Sequence, residues 1–77
     1  VVRHVLLLHD PAAAERLAAE ARAAAYDVAI DTHDGGWTWI VGVTEPGERP
    51  ADEPRLVALA AAYDAEYEGW EAFADRA

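Results

Sequence analysis

The chain has 77 residues with six Arg, no Lys and fifteen Asp or Glu, for a net charge of −9. A domain this small buries only about 60% of its unfolded surface, and 19 of its residues are Ala. The core is therefore thin, and a deep pocket with its own cofactor is not expected. An acidic balance without a basic stripe argues against direct nucleic-acid or anionic-membrane binding and favours a basic protein partner.

Cysteine is absent, which removes disulfides and thiolate chemistry and fits a reducing, cytoplasmic compartment. No apolar run reaches the length of a membrane span. Val1–Leu8 is apolar but is broken by Arg3 and His4 and is too short for a signal peptide. The Val-Val start without Met fits a trimmed end or an alternative start codon. Residues 1–77 read as a single domain.

Val2–Leu8 is apolar at both parities, as in a strand covered on both sides or central in a sheet. Asp10-Pro11 then opens a helix. The carboxylate accepts from orphan amides, and Pro at the first helical position lacks an N–H that would be unpaired anyway. Ala12–Ala25 hold strong helix formers. Ala13, Leu17, Ala21 and Ala24 share one lean face, which permits close approach to a sheet.

Tyr26–Thr32 alternates, with Tyr26, Val28, Ile30 and Thr32 on one face. Asp34-Gly35-Gly36 is a hairpin signal, and Trp37–Thr44 is the return strand with Trp37, Trp39, Val41 and Val43 on one face. With Asp34-Gly35 as the preferred turn, Thr32 faces Trp37, Ile30 faces Trp39, Val28 faces Val41 and Tyr26 faces Val43. A turn at Gly35-Gly36 keeps the same faces. A slip of one residue mixes them and is excluded.

Glu45–Glu53 reads as an acidic, solvated loop with an electrostatic docking face as the rival reading. Asp52 or Glu53 caps a second helix with Pro54 in its first turn. Leu56, Leu59, Ala60 and Tyr63 then recur at helical spacing. Tyr67-Glu68-Gly69-Trp70 is a short edge strand or a turn that packs both rings. Glu71–Ala77 frays or adds a last helical turn.

The order β-α-β-β-α-(β) predicts an α+β, ferredoxin-like two-layer sandwich, with both helices on one face of a small antiparallel-rich sheet. The apolar second face of the first strand leaves the far side of the sheet for a partner or a second copy.

The C-terminal stretch carries a resemblance. A helix ending Leu59-Ala60-Ala61-Ala62-Tyr63, followed by Glu66-Tyr67-Glu68-Gly69-Trp70-Glu71, resembles the end of the RraB family, regulators of ribonuclease E. Members of that family finish on a Tyr-Asp-Gly-Trp signature. The Ala-rich first helix, the aromatic hairpin and the Thr44-Glu45-Pro46 loop fit as well. Two positions depart: Glu68 replaces the usual Asp, and Asp64-Ala65 replaces a Gly pair that supplies a left-handed helix stop. The resemblance implies a non-enzymatic domain that binds and lowers the activity of a ribonuclease E-type enzyme. The charge reading agrees, because such enzymes carry Arg-rich segments toward which an acidic domain is steered. The expected contact residues are Glu66, Tyr67, Glu68, Gly69, Trp70 and Glu71.

Other constellations have plainer explanations. His9-Asp10 and His33-Asp34 sit at one end of the sheet, but with a strand between them their backbones lie roughly 9–10 Å apart, long for one metal ion. A loop histidine and a helix cap account for them better than a metal or acid–base site. His4 alternates with apolar neighbours and reads as a buried or half-buried histidine with a local partner. Ser is absent as well as Cys, so Thr is the remaining common nucleophile. Gly35-Gly36 is a turn rather than a phosphate loop. Trp37 and Trp39 read as core packing, with base stacking disfavoured by the lack of nearby cations. Tyr67 and Trp70 read as a structural clasp or as anchors for a partner. No catalytic residue, metal or cofactor is expected. The rival function is a small-ligand or self-associating domain that uses the open sheet face, as in a homodimer. A hydrolase or metalloenzyme at the His-Asp edge is third.

Overall fold

The computed structural model describes residues 1–73. Four strands and two helices follow in the expected order: β1 Val2–Leu8, α1 Pro11–Ala23, β2 Asp27–His33, β3 Thr38–Glu45, α2 Glu53–Ala62 and β4 Glu66–Ala72. The strands form one antiparallel sheet in the order β2-β3-β1-β4. The fold is α+β and compatible with a two-layer sandwich. Strands β1 and β3 are central, whereas β2 and β4 are edges. The segment Tyr67–Trp70 is thus strand, and Glu71 and Ala72 continue it instead of fraying or turning helical. The rest of the expected last turn, from residue 74 on, lies outside the described residues.

Period two decides what β1 buries. Val2, His4, Leu6 and Leu8 are buried on one face, Arg3 is exposed, and Val5 and Leu7 are half-buried on the other. Leu6 and Leu8 join Leu17, Ala14, Ala18 and Ala21 of α1, Leu56 and Ala60 of α2, and Val41 and Val43 of β3 in one core. The small side chains of α1 let its backbone lie close to the sheet, so a thin core still fills its space. No helix among the described residues is long and apolar enough to cross a membrane.

Both helices start where expected, but α1 ends at Ala23 and not at Ala25. Asp10 Oδ1 accepts from the Ala12 amide at 3.0 Å, and Pro11 occupies the first turn. Asp52 precedes α2, but its side chain makes no cap; it accepts from the Tyr26 hydroxyl at 2.5 Å. Both helices end in the same way. The Tyr26 amide donates to the Ala21 carbonyl at 3.1 Å, and the Ala65 amide to the Ala60 carbonyl at 2.8 Å. These are Schellman closures, which need a left-handed residue just before the donor. Ala25 (φ 72°) and Asp64 (φ 58°) take that role without being Gly. Asp64 therefore supplies the stop for which the resemblance leads one to expect glycine. A side chain in this region costs roughly 1–2 kcal/mol, and Asp tolerates it better than Ala.

The hairpin between β2 and β3 corrects two expectations. Thr32 pairs with Trp39, Ile30 with Val41 and Val28 with Val43. This is the register of the Gly35-Gly36 alternative, shifted by two from the preferred one. Faces are kept because two is the strand period. The reason is the turn: Asp34–Gly36 form a short 3-10 turn with Asp34 at φ 54° and Gly35 at φ 66°. Trp37 leaves it in helical conformation and never joins the ladder. It is consequently 79% exposed rather than packed in the core, while Trp39 is half-buried against the core.

Candidate functional site

Residue pattern and register together assemble a buried polar chain beneath β4. His4 shares the parity of Leu6 and Leu8 and so points into the core, where it has no exposed surface. On one side it pairs with Val43, so Glu45, two residues on, is its diagonal neighbour on the same face. On the other side it pairs with Trp70, and Tyr67 lies opposite the adjacent Leu6. His4 Nε2 meets Glu45 Oε2 at 2.8 Å, and Nδ1 meets the Tyr67 hydroxyl at 2.7 Å. One tautomer satisfies both contacts: Nε2–H donates to the carboxylate and Nδ1 accepts from the phenol. The same carboxylate oxygen takes the Asp52 amide at 3.3 Å, and Asp52 in turn holds Tyr26. Groups from β4, β1, β3, the start of α2 and the approach to β2 are thereby linked.

The partners of His4 are long-range rather than local, and Glu45 is the residue that the sequence reading misplaced. It closes β3 at 2% exposure and does not belong to the solvated loop. A signal was available, since Trp39, Val41, Val43 and Glu45 continue one parity toward the face that also holds His4. The chain of carboxylate, imidazole and hydroxyl has the order of a proton relay. Burial and the nearby Glu53 and Glu45 carboxylates raise the Tyr67 pKa above the usual tyrosine value. This keeps the phenol protonated, the opposite of an activated nucleophile. The chain suits holding strands together better than moving protons to a substrate.

Above this anchor, β4 presents the six expected contact residues. Tyr67 is half-buried and turned to His4, so it clasps rather than faces outward. Gly69 is half-buried, and Glu66, Glu68, Trp70 and Glu71 are exposed, Trp70 at 42%. The pairing runs from Val5↔Gly69 to Leu6↔Tyr67 with a break between them, which leaves Glu68 as the extra residue of a bulge. Gly69, at φ 119°, takes a backbone conformation that other residues rarely adopt. Phe73, also exposed, bonds Val1 through both backbone groups and lies 5.3 Å from the Arg3 guanidinium.

The other candidate constellations come apart. His9 Nδ1 contacts the Trp37 carbonyl oxygen at 3.1 Å and Asp10 caps α1, while His33 and Asp34 lie across β3 on the turn side. No group of three His, Cys, Asp or Glu among the described residues is placed to hold a metal ion. A groove of about 270 Å³ between α1 and α2, floored by Ala21, Ala24 and Leu59, is smaller than usual ligand pockets of roughly 300–1,000 Å³. The open face of the sheet is concave over about 520 Å³, with Val5, Ile40 and Gly42 among Arg3, Asp31 and Glu71. No protein-family model, no curated protein and no solved structure matches this chain.

Proposed function

We propose that this chain is a non-enzymatic regulatory domain that binds a ribonuclease E-type endoribonuclease through β4 and modulates its activity, as its resemblance to the RraB family implies. The reading includes a ferredoxin-like fold. The strand order β2-β3-β1-β4, with helices between β1 and β2 and between β3 and β4, supports it. The observation that carries the functional part is the position of Glu66–Glu71. The whole signature lies on one edge strand, with three carboxylates and Trp70 exposed and Tyr67 anchored beneath. At a net charge of −9, the domain is steered toward Arg-rich segments and competes there with RNA.

The test is cleavage of an RNA substrate by a purified ribonuclease E-type enzyme with the domain added. Cleavage slows in proportion to bound domain, and inhibition fades as salt rises from about 50 mM to about 500 mM. Replacing Glu66, Glu68 and Glu71 together by Gln abolishes it. An unchanged rate under excess domain at low salt removes the proposal.

A second reading rests on the concave open face, where Val5, Leu7 and Ile40 are half-buried. There a small ligand or a second copy covers apolar surface that the helices do not reach. Light scattering that stays monomeric as concentration rises removes the self-association form of this reading.

A further inference from the structure

We propose that the partner of β4 is an extended, cationic peptide segment that adds to the sheet as a fifth strand. The inference deepens the proposed function and rests on it. An edge strand offers a row of unpaired backbone donors and acceptors, and proteins usually cover or disfavour such rows. The two edges here are treated differently. On β2, the Arg22 guanidinium reaches over to donate to the Val28 carbonyl at 3.4 Å. On β4, among the described residues, β1 is the one neighbouring strand, and no side chain bonds the strand's backbone. Pro, the residue that most simply blocks strand addition, is absent from Glu66–Ala72.

Charge selects the occupant. Two copies meeting along β4 gather two sets of Glu66, Glu68 and Glu71 on one seam, and like charges that close are destabilising. An Arg- or Lys-bearing strand meets the same carboxylates favourably. Arg3 pairs with Glu71 across the sheet with its guanidinium over the Phe73 ring, whereas Glu66 pairs with Leu7 and Glu68 is the unpaired bulge residue, so neither of these two has a cation opposite it in the β1–β4 register. The bulge at Glu68 divides the edge, so the added strand bonds mainly along Gly69–Ala72. Trp70, with 42% of its surface exposed, supplies apolar contact beside it. Recognition then combines main-chain bonds for affinity with side-chain charge for specificity, the pattern of strand addition in other peptide-binding domains.

The probe is a capped peptide of about ten residues alternating Arg and Val, compared with the same peptide N-methylated at alternate residues on its bonding edge. Methylation keeps the charge and removes the strand bonds. Heteronuclear NMR on the full chain reads amide hydrogen exchange along 66–72. The unmodified peptide slows exchange of the outward amides of β4 and leaves β2 unchanged. The methylated peptide binds at least about tenfold more weakly, the loss of one or two such bonds. Equal affinity for both peptides without protection of β4 overturns strand addition and leaves the electrostatic reading of the proposed function intact. Failure of both peptides to bind, with the intact ribonuclease still inhibited, overturns the inference alone. Failure in both assays overturns the inference and the proposed function together. A concentration-dependent dimer protected along β4 replaces the cationic partner by a second copy, and so overturns the choice of occupant.

Discussion

The two edge strands have the same alternation of exposed and half-buried residues, yet they are held in place by different means. Strand β2 follows a Schellman stop at Ala25 and returns through a tight turn to β3, with Arg22 bonded to one of its carbonyls. Strand β4 follows the equivalent stop at Asp64, carries a bulge, and is pinned from below by a phenol bonded to a buried imidazole. Burial alone therefore does not define an edge. One edge is secured by local chain reversal. The other follows a helix and not a hairpin, and a specific polar contact ties it down.

The anchor of β4 is most exposed to substitution at His4. His4→Ala leaves the Glu45 carboxylate buried without its partner and the Tyr67 hydroxyl unpaired. A buried acceptor that loses its hydrogen-bond partner costs about 1–3 kcal/mol, and more when the acceptor is a carboxylate. Urea unfolding then shows a stability loss of that order, or no folded state at all. A loss under about 0.5 kcal/mol, typical of surface sites, shows that the chain contributes no net stability.

A finer cut is Tyr67→Phe, which removes one hydroxyl and keeps the ring. The expected loss is about 1 kcal/mol, and hydrogen exchange speeds up in β4 while β2 is unaffected. Equal acceleration of both edges contradicts a pin that is local to β4.

Alkaline pH tests the same hydroxyl together with Tyr26, which leads into β2. Burial raises both pKa values, helped at Tyr26 by its bond to Asp52 and at Tyr67 by the charges of Glu53 and Glu45. Above the unfolded tyrosine pKa of 10.0, the folded state therefore binds more protons than the unfolded one. The stability from these groups is complete below that pH and is lost as pH rises through the folded values. Unfolding midpoints between about pH 8 and about pH 11 fall steeply in the wild type and less in a Tyr26→Phe, Tyr67→Phe double variant. Parallel curves refute the linkage.

The helix stops allow a symmetrical experiment. Ala25→Gly and Asp64→Gly each relieve a left-handed side chain, and each stabilises the fold by up to about 1 kcal/mol. The gain is larger at Ala25, because Asp already tolerates the conformation. A destabilising effect at both positions removes backbone strain as a feature of these joints. The smallest effect belongs to Trp37→Ala. An exposed indole outside the ladder changes stability by less than about 0.5 kcal/mol, although loss of a packed Trp costs about 3–5 kcal/mol.

Elements with a local cause were legible from residues alone. The Asp10-Pro11 start of α1, the Leu56, Leu59, Ala60 and Tyr63 stripe of α2 and the alternation of β2 and β3 each follow from spacing within a few residues. The faces of the β2–β3 hairpin were legible too, whereas its register was not. Two turns separated by one strand period give the same hydrophobic pattern, and only the backbone of Asp34–Gly36 distinguishes them. Trp37 was misplaced for the same reason, because parity cannot tell where a ladder stops.

Spacing and composition alone give the thin alanine-rich core, the starts of both helices, the acidic exterior and the acidic, aromatic run Glu66–Glu71. Pairing across the fold makes that run an edge strand, buries Glu45 and joins it through His4 to Tyr67, because these groups lie far apart along the chain. His4, Glu45 and Tyr67 stand 41 and 63 residues apart from their partners, and no local pattern records a hydrogen bond that exists only once three strands have paired.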